Sequence, residues 1–295
     1  MKTVITILSL TIATLVTSAQ SVAFRVLAVK GKVEVKTHGV WSSLKPGSKI
    51  PQHCDVRLSG NSYVGLIHVS GKPLELLKPG VYTYKDMHKF VSTEKSPIEK
   101  YTTFLLAKSE QSKNRLAATG AVHRGGQDIT ILLPEETVNV LNTDLILIWK
   151  SNKSNVPYTV TFSDMFGNEI LRKEASEEQI SLSLDTGTLS QYSVFSVKVT
   201  SLADPSLESG EHYVKRLSGD NRRALLDEHE VLKQSFGEGS TPLTVMLESA
   251  FFEEKNLPIE AITAIKRFIS NNESGEVLTE ALNELLTRYG LGEGE

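Results

Sequence analysis

Between Phe24 and Tyr84 apolar and polar residues alternate in short runs broken by glycine and proline, a period near two that predicts β-strands. Lys32-Val33-Glu34-Val35-Lys36 has one apolar and one charged face, as a half-buried strand requires. Gly31, His38-Gly39 and Lys45-Pro46-Gly47 supply turn residues around it. A second strand is expected from Tyr63 to Val69. Ser70-Gly71-Lys72-Pro73 then turns the chain into Leu74-Glu75-Leu76-Leu77, and Lys78-Pro79-Gly80 precedes Val81-Tyr82-Thr83-Tyr84. This spacing predicts a small all-β roll or sandwich.

Residues 86 to 126 are rich in Lys, Ser and Thr and read as a connector, with a short helix around Phe104-Leu105-Leu106-Ala107 and a loop over Ala117 to Gly126. Seven further strands are expected at Ile129 to Leu133, Leu145 to Lys150, Tyr158 to Ser163, Glu169 to Lys173, Gln179 to Leu184, Val194 to Thr200 and His212 to Leu217. Seven short strands in some 90 residues predict a β-sandwich.

After residue 218 the apolar period changes to 3.6 and predicts four helices. The first starts at Asp220 as N-cap and carries Leu225, His229, Leu232 and Phe236 on one face. Ser240-Thr241-Pro242 starts the second, with Leu243, Met246, Leu247, Ala250 and Phe251 in a stripe. Asn256-Leu257-Pro258 restarts the chain into Ala261, Ile262, Ile265, Phe268 and Ile269. The fourth carries Leu278, Ala281, Leu282, Leu285, Leu286 and Tyr289 and stops at Gly290.

At the other end, Lys2 precedes an apolar run from Val4 to Val16 that closes on Thr17-Ser18-Ala19, the order of a signal peptide, with cleavage expected after Ala19. As a helix the run falls short of the roughly 30 Å of a bilayer core. No later stretch reaches the length of a spanning helix, the longest being Leu145-Ile-Leu-Ile-Trp149. An exported, envelope-associated protein, periplasmic or extracellular, is expected. Cys54 is the only cysteine, so an internal disulfide is excluded and burial must supply the stability.

The net charge of −3 hides an asymmetry. Residues 20 to 126 hold 17 Lys and Arg against 7 Asp and Glu, whereas residues 127 to 295 hold 14 against 28. Two oppositely charged parts attract within one molecule or between neighbours, or are merely solvated surfaces. Lys30, Lys32 and Lys36 form a candidate basic face for an anionic envelope polymer. Scattered lysines without interleaved aromatics argue against nucleic acid.

Val29 to Val35, Leu44-Lys-Pro-Gly47-Ser-Lys-Ile50, Ser62-Tyr-Val-Gly-Leu66 and Gly71-Lys-Pro-Leu74-Glu-Leu76 through Gly80 together resemble the FecR-type domain, the periplasmic β-domain of iron-dicitrate signalling regulators. Those regulators place a cytoplasmic anti-sigma segment and a transmembrane helix before this domain, where this sequence has the leader. The resemblance therefore implies an envelope β-domain that contacts proteins or polymers, with a periplasmic sensor-regulator as the alternative. Leu147-Ile-Trp149, Tyr158-Thr-Val160 and Phe195-Ser-Val197-Lys-Val199 resemble a fibronectin type III or immunoglobulin-like sandwich, which implies Trp149 as the core tryptophan. The hairpin from Thr241 to Asn271 resembles one tetratricopeptide-type unit. One such unit cannot close its own core, so its stripes must dock on the sandwich or on a partner. Met246, Phe251, Phe268 and Leu285 are the candidate partner-binding positions.

Catalytic chemistry is poorly supported. Asp185-Thr186-Gly187 matches the aspartic-protease string, but that chemistry needs two facing copies, and Asp and Gly are ordinary turn residues. The seven histidines lack metal-ligand spacing, and Gly125-Gly126 beside Arg124 lacks a phosphate-loop context. No cofactor, metal or catalytic residue is expected, and a hydrolase ranks last. The expected chain is multidomain and mainly β: a signal peptide over 1–19, a FecR-like β-domain over 20–90, a connector over 91–126, an immunoglobulin/fibronectin-like sandwich over 127–218 and a tetratricopeptide-like α-helical segment over 219–295. Its expected role is a non-enzymatic adaptor or scaffold that binds a protein or an anionic envelope polymer.

Overall fold

The computed structural model describes residues 21–89, 91, 97–116, 128–151, 157–236, 239–271, 276–289 and 291. The expected signal peptide, the Ala117 to Gly126 loop and the Gly290 stop lie outside these residues. Among the described residues, several antiparallel sheets and six α-helices make the fold mainly β with a helical part.

Eight strands build the first unit: β1 (Val22–Lys30), β2 (Val33–Thr37), β3 (Val40–Ser43), β4 (Lys49–Pro51), β5 (Asp55–Leu58), β6 (Tyr63–His68), β7 (Pro73–Leu76) and β8 (Gly80–Tyr82). They form two sheets, ordered β4-β1-β6-β7 and β3-β2-β5-β8. Phe24, Val26, Val33, Val35, Ile50, Val56, Val64 and Leu66 fill one core between them. Buried Cys54 lies in that core, where desolvation and then the Asp55 charge push its thiol up, away from the reactive thiolate. The period-two readings at β2, β6 and β7 coincide with observed strands; β1, β3, β4 and β5 went unread.

The expected connector is more than a linker. Helix α1 (Tyr84–Lys89) closes the first unit with Met87 in its core, and α2 (Ile98–Leu116) is far longer than the short helix expected. Through Tyr101, Phe104 and Leu105, α2 joins the core of the C-terminal helices.

The second unit holds β9 (Ile129–Ile131), β10 (Thr137–Val140), β11 (Asp144–Ser151), β12 (Tyr158–Ser163), β13 (Glu169–Ala175), β14 (Gln179–Ser183), β15 (Val194–Ser201) and β16 (His212–Arg216). A five-stranded sheet, β10-β16-β15-β12-β13, faces a three-stranded one, β14-β11-β9. All seven expected strands are present, and β10, pairing parallel to β16, was missed. Trp149 is buried in the shared core, edge-on to Tyr158 with ring centroids 5.5 Å apart.

The remaining helices are α3 (Gly219–Gln234), α4 (Pro242–Glu254), α5 (Pro258–Asn271) and α6 (Glu276–Arg288). Helix α3 starts at N-cap Ser218, not Asp220, which instead sits in its first turn. Helix α4 starts at Pro242, within the expected Ser240-Thr241-Pro242 start, and Thr241 caps it, accepting from Thr244 N–H in a reciprocal capping box. Asn256, at φ 56°, makes the tight passage into α5.

These helices join the two β-units. Strand β11 is apolar on both faces: Leu145, Leu147 and Trp149 enter the sandwich core, while Ile146 and Ile148 pack into the helical core. Strand β6 is likewise buried along its length, because α4 and α2 cover the sheet that contains it. A bulge in β1 between Val26 and Ala28 lets both Leu27 and Ala28 meet the helical layer. The charge asymmetry is partly used here, since Lys100 of α2 lies 2.9 Å from Glu254 and 3.9 Å from Glu228.

Candidate functional site

The candidate basic face lies on the outer side of β2, β3 and β5, where it is not uniformly basic. Glu34 and Lys36 alternate with buried Val33 and Val35 and face the other side of β2, and Arg57 beside them donates to Glu34 at 2.6 and 3.0 Å. Lys32 also approaches Glu34, at 3.8 Å. Trp41 lies against this row, 4.3 Å from the Arg57 guanidinium and 5.8 Å from Lys36 Nζ. Lys30 ends β1, paired in register with Tyr63 on the other sheet. The three lysines therefore do not share one face, and Glu34 and Asp55 dilute the positive charge around two of them.

The helical stripe requires a correction. Phe251 and Leu285 are fully buried, Phe268 is 6% exposed and Met246 is partly buried, all against the chain's own helices and sheets. The apolar area that the sandwich or a partner was expected to cover is covered within the molecule. Of the two docking alternatives, the intramolecular one is realised, on both β-units.

A different feature reaches solvent. The β12–β13 hairpin ends in Met165 and Phe166, with Phe166 91% exposed. Its backbone is nonetheless held. Asp164 Oδ1 accepts from Phe166 N–H at 2.8 Å and Asn168 N–H at 2.9 Å, Oδ2 accepts from Asn168 Nδ2 at 2.9 Å, and Gly167 takes φ 84°. These hydrogen bonds hold the Asp164 carboxyl below its ordinary range. The strand pattern of the sequence did not single out this displayed aromatic.

A second feature lies where α5 covers the edge of β11. Strand β9 pairs with β11 only over Trp149 to Ser151, so the earlier residues need other partners on that side. Helix α5 supplies them from one face. Glu260 Oε1 accepts from the N–H groups of Leu141 and Asn142, the latter at 3.1 Å. Thr263 Oγ1 accepts from Ile146 N–H at 2.8 Å and donates to its carbonyl at 3.4 Å, and Arg267 Nη2 donates to the Asp144 carbonyl at 3.0 Å. The spacing of three and four residues puts Glu260, Thr263 and Arg267 on one stripe of the helix.

Beside this seam is a cleft of about 260 Å³ between α4, α5 and the β10–β11 connection. Its polar lining includes Asp144, Glu248, Glu260 and Arg267, and its apolar walls are Val245, Phe252 and Phe268. His229 Nε2 lies 2.7 Å from Glu248 Oε1, with its ring stacked on Phe251. Glu260 is 1% exposed, and burial pushes its carboxyl up to about 7 against the opposing pull of its backbone donors. No sequence pattern singled out Glu260; a lone Glu among Ile259, Ala261 and Ile262 was the available signal.

Asp185 stands on an exposed turn after β14, 3.1 Å from Arg216, and Gly187 takes φ 67° there. That is the turn role expected of it. His53, Tyr84, His88, His68 and Phe24 form a row of ring contacts with centroids 5.1 to 5.6 Å apart at one end of the first unit. Among the described residues no group of three or more His, Cys, Asp or Glu side chains is placed to hold a metal ion, and no helix is long and apolar enough to cross a membrane.

No protein-family model matches this chain, and no curated protein matches it.

Proposed function

We propose that the chain is an exported, non-enzymatic adaptor of a bacterial envelope, combining a FecR-type β-unit, a fibronectin type III-like sandwich and a helical layer that clamps the two together. The observation that carries this reading is the Met165–Phe166 tip. A large apolar side chain fully offered to water on a backbone fixed by Asp164 loses little entropy when it enters a pocket, as an anchor residue does. A protein partner fits this feature better than an anionic polymer, because the row of outward side chains around Lys32 and Lys36 mixes Glu34 and Asp55 with Arg57.

The test is site-specific photo-crosslinking from position 166 in envelope preparations, followed by calorimetry with the purified adduct partner. The partner should bind the wild-type chain and lose at least about tenfold in affinity for Phe166→Ser, about 1.4 kcal/mol. Equal binding to both chains would overturn the reading. So would a robust hydrolytic activity abolished by substituting a single Asp or His.

A further inference from the structure

The Glu260 carboxylate is only half used. Oε1 closes the end of the β10–β11 connection, whereas Oε2, also buried, has no hydrogen-bond partner among the described residues. An unpartnered buried polar atom costs about 1–3 kcal/mol, and more when ionised. Thr263 and Arg267 bind β11 without such a residue, so sealing the strand edge does not account for the second oxygen.

Glu260 also lines the cleft, whose volume of about 260 Å³ far exceeds the roughly 30 Å³ share of one water. The charge of the lining selects the ligand. Asp144, Glu248 and Glu260 outnumber Arg267, which lies two helical turns beyond Glu260, about 10 Å along the axis, with Nη2 engaged by the Asp144 carbonyl. The carboxylates are spread along the cleft and do not converge to hold one metal ion. A donor-bearing cation on an apolar stem suits such a site: an ammonium brings three N–H donors, and its methylenes can lie on Val245, Phe252 and Phe268.

We propose that this cleft binds a primary alkylammonium group, with Glu260 Oε2 as the acceptor at its floor. The site does not depend on the adaptor reading, and it could be filled by a free amine or by a lysine side chain of another chain. Binding requires the ionised carboxylate, so affinity rises with pH through the region of 7 to which burial raises Glu260. The other titratable groups facing this carboxyl are Asp144 and Glu248 in the cleft, His229 behind Glu248, and Tyr289 of α6, whose phenol feels the Glu260 charge. Arg267 is the fixed positive charge.

The experiment is an NMR titration of the full chain at pH 8 and pH 5.5 with n-butylammonium, its neutral counterpart 1-butanol, and Nα-acetyl-lysine methylamide. Saturable shifts at the Thr263 and Ala264 amides are expected with butylammonium at pH 8, weaker by about tenfold or more at pH 5.5, with butanol, and in Glu260→Gln. Ala264→Leu fills the cleft from α5 without touching the Glu260 hydrogen bonds, and should block binding in a chain whose melting is unchanged. Binding of the lysine derivative as tightly as butylammonium would assign the site to a lysine side chain; its failure beside a binding butylammonium would assign a free amine. No saturable binding by either amine, or equal binding by butanol or by both variants, would overturn the proposal.

Discussion

The phenol oxygen of Tyr63, in the first β-unit, accepts a hydrogen bond from the backbone N–H of Leu243, 180 residues later, at 3.1 Å. Tyr63 in turn donates to Glu75 Oε1 at 2.5 Å, and Glu75 also receives the Leu243 N–H at 3.3 Å. Leu243 is the second residue of α4, so these oxygens satisfy a donor that every helix N-terminus leaves open, and the Glu75 charge suits the positive end of the helix dipole. Burial, then the Glu75 charge, push the Tyr63 phenol far above its ordinary range, which keeps it a donor. Tyr63→Phe removes the buried bridge and should cost about 2 kcal/mol in denaturant unfolding, with faster amide exchange at the start of α4. Gly65→Ala should act on the same seam, because an added Cβ would stand 2.9 Å from the Tyr63 oxygen and 3.6 Å from Leu243 Cβ. A loss of about 1 kcal/mol or more is expected; a neutral result for both variants would mean that α4 docks without this bridge.

The Phe166 side chain, 91% exposed, contributes little to folding. Because it is exposed at the hairpin tip, Phe166→Ser should change unfolding free energy by no more than about 0.5 kcal/mol. Asp164→Ala, which leaves three donors at the tip without their carboxylate, should instead loosen the tip, seen as heightened amide exchange at Phe166 and Asn168.

Glu260 gives the pH dependence of stability a recognisable sign. Its carboxyl is raised from 4.5 to about 7 on folding, so its contribution is complete below 4.5 and is lost as pH rises toward about 7. The size of that loss is on the order of 3 kcal/mol. Glu260→Gln does not titrate, so its unfolding free energy should rise relative to that of wild type between pH 4.5 and pH 8. Parallel pH profiles for the two chains would contradict the raised carboxyl.

His68 should act in the opposite direction. Burial and then the His88 charge hold it below its ordinary value, so the folded chain resists its protonation. The stability linked to neutral His68 is complete above about 6.5 and declines as pH falls below that. His88→Gln removes the facing charge, with ring centroids now 5.5 Å apart. Its unfolding free energy relative to wild type should therefore rise on going from pH 7 to pH 5, a difference in which the other titrating groups largely cancel.

Much of the local structure was legible from spacing. Every expected strand from Ile129 to Leu217 is present, Trp149 is the buried tryptophan, and Thr241-Pro242 starts a helix, because alternation, capping side chains and prolines act over a few residues. The misses have a common cause. β1 went unread because its residues are apolar toward both the first core and the helical layer, so alternation is blurred. Helix α2 was shortened because only its first turns carry an apolar face amid polar residues, and its docking is set by Tyr101, Phe104 and Leu105 against helices more than a hundred residues away. Glu260 was invisible as a site residue, since its partners are the backbone groups of Leu141 and Asn142.

The sequence by itself determined most strands of the second β-unit, several of the first, the C-terminal helices with their amphipathic stripes from Leu243 to Leu286, and the uneven charge of the two parts, all properties of near neighbours along the chain. The tertiary structure decided what those stripes face. Apolar burial is non-directional, so Phe251, Phe268 and Leu285 would satisfy it against a partner as well as against this chain. Three contacts settle it inward: α4 on β6 through Tyr63 and Leu243, α5 on β11 through Thr263 and Ile146, and α2 on α4 through Tyr101 and Phe251. Each needs a hydrogen bond or ring contact between residues distant in sequence, and such geometry exists only once both β-units have folded and come together.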